Sequence, residues 1–200
     1  MNDLQTFFSR LAVWEGLPAV PLVARWNLEE AREIGSTFRR AFDRCRFGAN
    51  PLIARWAVSS QSVRNLMATF ISTEIDRRLE GFRIEPCPGR GYPDNRLVRV
   101  DDKKAYALEF KTSQGFDPTD DNRMVLTCRS EKLRRCFKPP IRHLLATVCH
   151  ERIGRKIWIR WVYLDFLEPT MPVHIRLESS VTKRLLATRS GISDMICCVT

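Results

Sequence analysis

The chain has 200 residues, a mass of 23.2 kDa and a formal net charge of +10, and 44% of its residues are apolar. That is enough sequence for one domain with a full core, and it is too apolar for a disordered chain. No apolar run reaches the roughly 20 residues that span a bilayer, and Met1-Asn2-Asp3-Leu4-Gln5 lacks the basic-then-apolar order of a secretory signal, so no membrane association is expected.

Taken in chain order, Asp3 to Trp14 places Leu4, Phe7, Phe8, Leu11 and Ala12 at helical spacing. Asn27 is a helix cap, followed through about Cys45 by Ala31, Ile34, Phe38 and Phe42 along one side, before Gly48-Ala49-Asn50-Pro51 breaks the chain. Ser60 opens a longer helix that Gly81 ends, with Val63, Leu66, Met67, Phe70, Ile71, Ile75 and Leu79 on one face. The stretch from Leu52 to Leu66, broken at Val58-Ser59-Ser60, reads as two packed core helices rather than a helix-turn-helix.

From Phe82 the apolar period becomes that of extended chain. Strands are predicted at 82–85, 96–100 and 105–112, the last two around the charged turn Asp101-Asp102-Lys103-Lys104. A polar loop over 113–122 and a basic helix over 129–137, stopped by Pro139-Pro140, come next. A hairpin over 143–149 and 156–167 follows, then a strand at 173–177 and a helix at about 180–188. Helices, a strand cluster, a helix and more strands in that order predict an α/β fold with a mixed sheet.

Seven cysteines, an odd number with no C-x-x-C, suit reduced thiols in a cytoplasmic compartment, and their spacing offers zinc no tight ligand pair. The charge is uneven: residues 1–80 carry a net +2, residues 81–127 balance, and residues 128–200 carry +8. Of the 33 cations 26 are Arg, whose forked donors match phosphate oxygens. The last third is therefore a candidate polyanion-facing surface, with solubility alone as the plainer explanation.

The chemistry-bearing stretch is Tyr92-Pro93-Asp94 followed by Glu109-Phe110-Lys111. Glu109 and Lys111 are two apart on a strand and share a face, while Tyr106, Leu108 and Phe110 take the other. A hairpin turn centred on Asp102-Lys103 would set Asp94 opposite Lys111 and Arg96 opposite Glu109, bringing Asp94, Glu109 and Lys111 to one patch. Two carboxylates beside an ammonium suit Mg²⁺, which takes a few carboxylate oxygens and keeps sites for water and substrate. Such an ion polarises a phosphodiester and activates water, and Lys111 would stabilise the developing charge. Glu74, on the preceding helix, is a further candidate, with Asp76 and Glu80 as alternatives for its place. Two other D/E-x-K triplets, Asp101-x-Lys103 and Asp102-x-Lys104, lie in the charged turn and read as solvated surface. A plain salt bridge on a half-exposed sheet is the competing explanation of Glu109 and Lys111.

Glu74, Pro93-Asp94 and Glu109-Phe110-Lys111 together resemble the motif of the PD-(D/E)XK nuclease superfamily, and the layout over 60–167 is similar to that of type II restriction endonucleases. The resemblance implies a central mixed β-sheet flanked by α-helices. It implies Mg²⁺-dependent cleavage of double-stranded DNA to leave 5′-phosphates, with no nucleotide cofactor, by a homodimer in which each protomer cuts one strand. It implies Asp94, Glu109, Lys111 and Glu74 as catalytic residues, with Asp94, Glu109 and Phe110 as metal ligands. On this reading the chain is a single nuclease domain over 1–200, with an N-terminal helical part (1–59), a catalytic core (60–167) and a C-terminal strand and helix (168–200). Gln114, Arg123, Arg129, Lys132, Arg134, Arg135 and Arg142, which follow the catalytic strand, are the candidate DNA contacts. The alternatives are a repair or recombination nuclease of the same fold, or a basic DNA-binding module in which Glu109 and Lys111 are structural.

Overall fold

A computed structural model of the chain describes residues 3–47, 49, 52–53, 60–89, 91–114, 125–126, 130–177 and 195–199. Among them are four helices: α1 (Leu4–Trp14), α2 (Leu28–Cys45), α3 (Ser60–Asp76) and α4 (Ser130–Cys136). The strands are β1 (Leu52–Ile53), β2 (Phe82–Pro86), β3 (Asn95–Arg99), β4 (Ala105–Gln114), β5 (Val125–Leu126), β6 (His143–Ile153), β7 (Lys156–Leu167), β8 (Val173–Leu177) and β9 (Met195–Val199). Six of them form one sheet in the order β1-β7-β6-β4-β3-β2, and β5-β9-β8 form a second. In the larger sheet β4 and β6 are parallel and every other pairing is antiparallel. The fold is α/β with a mixed sheet, as the element order predicts.

Local chemistry explains the helices. The Asn27 side chain accepts from the N–H groups of Glu29 and Glu30, satisfying two donors that a helix start leaves open. Glu29 and Glu30 in the first turn and Arg44 in the last complement the helix dipole. Ile34, Phe38 and Ala41 of α2 and Met67, Ile71 and Ile75 of α3 pack against Tyr106, Leu108 and Phe110 on one face of β4. Phe70, expected on the buried face of α3, is instead 39% exposed, and its ring lies against Phe47.

The opposite face of the sheet is covered by α1 and α4. Leu4, Phe7 and Phe8 join Leu133, Ala107, Leu145 and Leu167 in a second core. At its centre Phe8 stacks on both Tyr92 and His143. His143 lies 3.0 Å from the carbonyl of Leu22 through Nε2 and 2.8 Å from the Tyr92 hydroxyl through Nδ1. A carbonyl only accepts, so Nε2 carries the proton and Nδ1 accepts from Tyr92.

Full burial pushes the His143 imidazole down to about 4 from its ordinary 6.5. The unfolded chain takes up this proton at a higher pH than the folded chain does. The stability tied to neutral His143 is therefore complete above pH 6.5 and lost as the pH falls toward 4. We expect a loss of roughly 3 kcal/mol across that window from this group. Urea unfolding at a series of pH values measures it, and the slope should become shallower by that amount in His143→Asn; an unchanged slope would contradict the assignment.

Among the described helices none is long and apolar enough to cross a membrane. The strands β1, β5 and β9 have no counterpart in the sequence-based expectation. The helix expected over 180–188 and the polar loop beyond Gln114 lie outside the described residues.

Candidate active site

The hairpin that carries the motif does not take the expected register. Asn95 pairs with Leu108 and Val98 with Ala105, so Asp94 is level with Glu109, not with Lys111, and Arg96 is level with Ala107, not with Glu109. The cause lies in the turn. Arg99 N–H donates to the Lys104 carbonyl, closing a four-residue loop centred between Asp101 and Asp102. Lys103 adopts a left-handed conformation there (φ 58°), and the Asp102 carboxylate accepts from the Lys104 N–H at 2.9 Å. A two-residue turn centred on Asp102-Lys103 would have shifted the pairing toward Lys111.

The corrected register draws the acids closer together. Directly opposed residues share a face and are nearest neighbours across a strand pair. Glu109 Oε2 accepts from the Asp94 N–H at 2.9 Å, and Lys111 Nζ lies 2.9 Å from Glu109 Oε1. Both oxygens of Glu109 are thus aimed by their partners. Glu109 is 5% exposed, whereas Asp94 stands at the surface and Lys111 is partly exposed. Burial holds the Glu109 carboxyl above the usual carboxylate range; the Lys111 ammonium opposes that rise and the Asp94 carboxylate adds to it. Two acids therefore lie close enough to repel, with only Glu109 paired to the Lys111 ammonium, and a divalent cation would relieve their repulsion.

The backbone supplies a third donor of the same kind. Ala107 N–H donates to the Arg142 carbonyl, toward β6. Strand alternation then turns the carbonyl of Phe110 toward the β3 side, beyond the last β3–β4 pair at Asn95 and Leu108. The oxygen-only set of Asp94, Glu109 and the Phe110 carbonyl matches the preference of a hard cation. Among the described residues no three His, Cys, Asp or Glu side chains converge, so such an ion would complete its shell with water and substrate.

The remaining candidates are distributed differently. The Glu74 carboxylate pairs with the two residues just past its own helix, at 2.6 Å to Arg77 and 2.7 Å to Arg78. Asp76 accepts from the Ile84 N–H, and Glu80 pairs with Arg44. None of these three acids contacts Glu109 or Lys111 among the described interactions. Gln114 is exposed at the end of β4, while Arg123 and Arg129 lie outside the described residues. Arg134 donates to the Pro18 carbonyl and Arg135 to that of Pro88. Arg142 donates to Arg25 and pairs with Glu30, on the α2 side of the sheet. Lys132 is 3% exposed, its ammonium held by the carbonyls of Gly89 and Gly91. Four of the seven proposed DNA contacts thus serve intramolecular carbonyls in this structure.

Three residues around the site escaped the sequence reading. Tyr92 and His143 anchor the segment that ends in Asp94, as set out above. Thr147 is level with Lys111 across the parallel β4–β6 pair, fully buried, with no hydrogen-bond partner for its hydroxyl among the described residues. The alternation of β6 marks Thr147 as the polar residue between Leu145 and Cys149, which was a readable signal. No protein-family model matches the chain, and no curated protein shows significant similarity to it.

Proposed function

We propose that this chain is a Mg²⁺-dependent endonuclease of double-stranded DNA that leaves 5′-phosphates, of the PD-(D/E)XK type and of the site-specific restriction kind, acting as a homodimer. The observation that carries this reading is the meeting of the Asp94 N–H and Lys111 Nζ on the two carboxylate oxygens of the buried Glu109. Support also comes from the order of elements over 60–167, where α3, β2, the β3–β4 hairpin, α4 and β6–β7 follow the helix, strand, hairpin, helix, strand layout of the resemblance. The net charge of +10 favours approach to a polyanion.

Asp94, Glu109 and the Phe110 carbonyl would hold the cation, which when bound neutralises phosphate charge and lowers the pKa of a coordinated water. The residues of the chain do the positioning. The Asp94 N–H and Lys111 Nζ fix the two oxygens of Glu109, so that neither has to reorient as charge develops. Lys111, the more exposed member of that pair, places a positive charge where a non-bridging phosphate oxygen becomes more negative. Burial of Glu109 lowers the local polarity and strengthens each of these interactions.

The test is a supercoiled plasmid incubated with the protein in Mg²⁺ and, separately, in EDTA. Linear or nicked product that requires Mg²⁺ is the expected result, with mapped ends at one palindromic sequence. Ends scattered over the plasmid would favour a repair or recombination nuclease. No product with Mg²⁺ or Mn²⁺ at molar excess of protein would leave only a binding module.

A further inference from the structure

We infer that Lys132 is a positioning residue for the metal-ligating end of this site: its buried ammonium sets the loop that delivers Asp94. The inference rests on the nuclease reading above and adds to it a role for α4.

Lys132 is a cation at 3% exposure, and among the described residues no carboxylate pairs with it. Its Nζ donates instead to the Gly89 carbonyl at 2.9 Å and to the Gly91 carbonyl. A buried ammonium held only by carbonyl dipoles is costly, and an apolar side chain of similar volume would fill the same space at lower cost. What the ammonium adds is direction. Gly89 (φ 103°) and Gly91 (φ 82°) both take left-handed backbone, which side chains resist, and this conformation lets their carbonyls converge on one point. Arg135 of the same helix holds the Pro88 carbonyl at 2.9 Å. Helix α4 therefore grips three carbonyls of the loop between β2 and β3.

That loop leads directly into the acid. The Cys87 N–H donates to the Asp94 carbonyl at 2.8 Å, closing the loop at its base. Tyr92, between Gly91 and Asp94, is pinned through its hydroxyl to His143. With both sides of the Gly91–Asp94 segment held, the Asp94 backbone is fixed beside Glu109, to which its N–H donates. Metal affinity depends on such outer contacts, because ligands must be oriented before the ion arrives.

The experiment compares wild-type protein with Lys132→Met, at full length. Calorimetric titration with Mn²⁺ in the absence of DNA reads ligand positioning directly. Amide hydrogen exchange of residues 89–95 reads the loop, and DNA affinity in EDTA reads any phosphate contact. We expect Mn²⁺ affinity to fall about tenfold or more, exchange over 89–95 to quicken, and DNA affinity to stay within about twofold of wild type, since a buried ammonium makes no phosphate contact. Should Lys132→Met not fold, Lys132→Gln, which keeps a neutral donor, should show a smaller loss of Mn²⁺ affinity in the same direction. Unchanged Mn²⁺ affinity in a variant with lower thermal stability would reduce Lys132 to a structural residue. Weaker DNA binding with unchanged Mn²⁺ affinity would make it a phosphate contact; either result overturns the inference while leaving the nuclease reading intact. Wild-type protein that binds neither Mn²⁺ nor Mg²⁺ would remove both.

Discussion

Lys111→Ala is expected to lower the rate of DNA cleavage by about a thousandfold or more while the protein still folds and binds DNA. The size follows from the role: removing one fixed donor that meets developing charge costs about 10²–10³ in rate. A second loss adds to it here, because Lys111 Nζ also holds Glu109 Oε1. Without the ammonium, burial and the Asp94 charge both push the Glu109 carboxyl toward its protonated form, in which it is a poor ligand. Asp94→Ala should reach a comparable loss by a different route, through the metal, and Glu109→Gln likewise. Single-turnover nicking of a supercoiled plasmid measures the rate, and fluorescence anisotropy with Ca²⁺ in place of Mg²⁺ measures binding. Full cleavage by Lys111→Ala or Asp94→Ala would refute the site.

Glu30→Ala should be the most destabilising single change at the other end of the sheet, at about 1–3 kcal/mol, the usual cost of leaving a buried polar group without its partner. Glu30 sits in the first turn of α2, 9% exposed. Its Oε1 accepts from Lys104 Nζ and from the fully buried Tyr106 hydroxyl, each at 2.5 Å, and Oε2 lies 3.1 Å from Arg142 Nε. Burial alone would raise this carboxyl, but the hydrogen bonds from Lys104 and Tyr106, with the Arg142 charge, hold it below the usual range. The same carboxylate, together with burial, holds the Tyr106 phenol well above its ordinary value. Truncation would leave a buried phenol and two cations facing one another. A domain of this size should lose roughly 2–12 °C in Tm. Calorimetry or thermal circular dichroism decides it, and a shift under about 2 °C would show that the cluster is loosely solvated.

Much of the fold is legible in the sequence where one signal dominates. Asn27 followed by two acids and a 3.6-residue apolar stripe fixes α2, and the alternation of Tyr106, Leu108 and Phe110 against Ala107, Glu109 and Lys111 assigns the two faces of β4. The register of the hairpin is less legible. It depends on whether the chain turns in two residues or in the four from Val100 to Lys103, and no glycine announces the left-handed backbone at Lys103. The strand β9 has the apolar content of a core segment but short flanks that give no period to read.

The functional reading shows a parallel limit. Glu109 and Lys111 share a face by strand alternation, and the two-residue difference in register leaves that face unchanged, so Asp94 still comes to Glu109 even though the pairing differs from expectation. The basic cluster after β4 does not transfer so well. Composition reports charge but not where the donors point, and Lys132, Arg134, Arg135 and Arg142 turn toward carbonyls of their own chain. Glu74 followed by Arg77 and Arg78 is an i,i+3 and i,i+4 pairing readable in advance, and that local alternative competes with any role at the strand site.

The start of α1 is joined to the segment that follows β7. The Leu4 N–H donates to the Met171 carbonyl and the Gln5 N–H to that of Pro169, while Asp3 bridges Pro172. Helix α1, whose Phe8 backs Tyr92 and His143, is thus seated by residues made some 160 positions later. Helix α1 can therefore close behind the Asp94 loop only after residues 169–172 have been made. A nascent chain halted before Pro169 would carry Asp94, Glu109 and Lys111 yet lack the seat that holds Phe8 behind Tyr92 and His143.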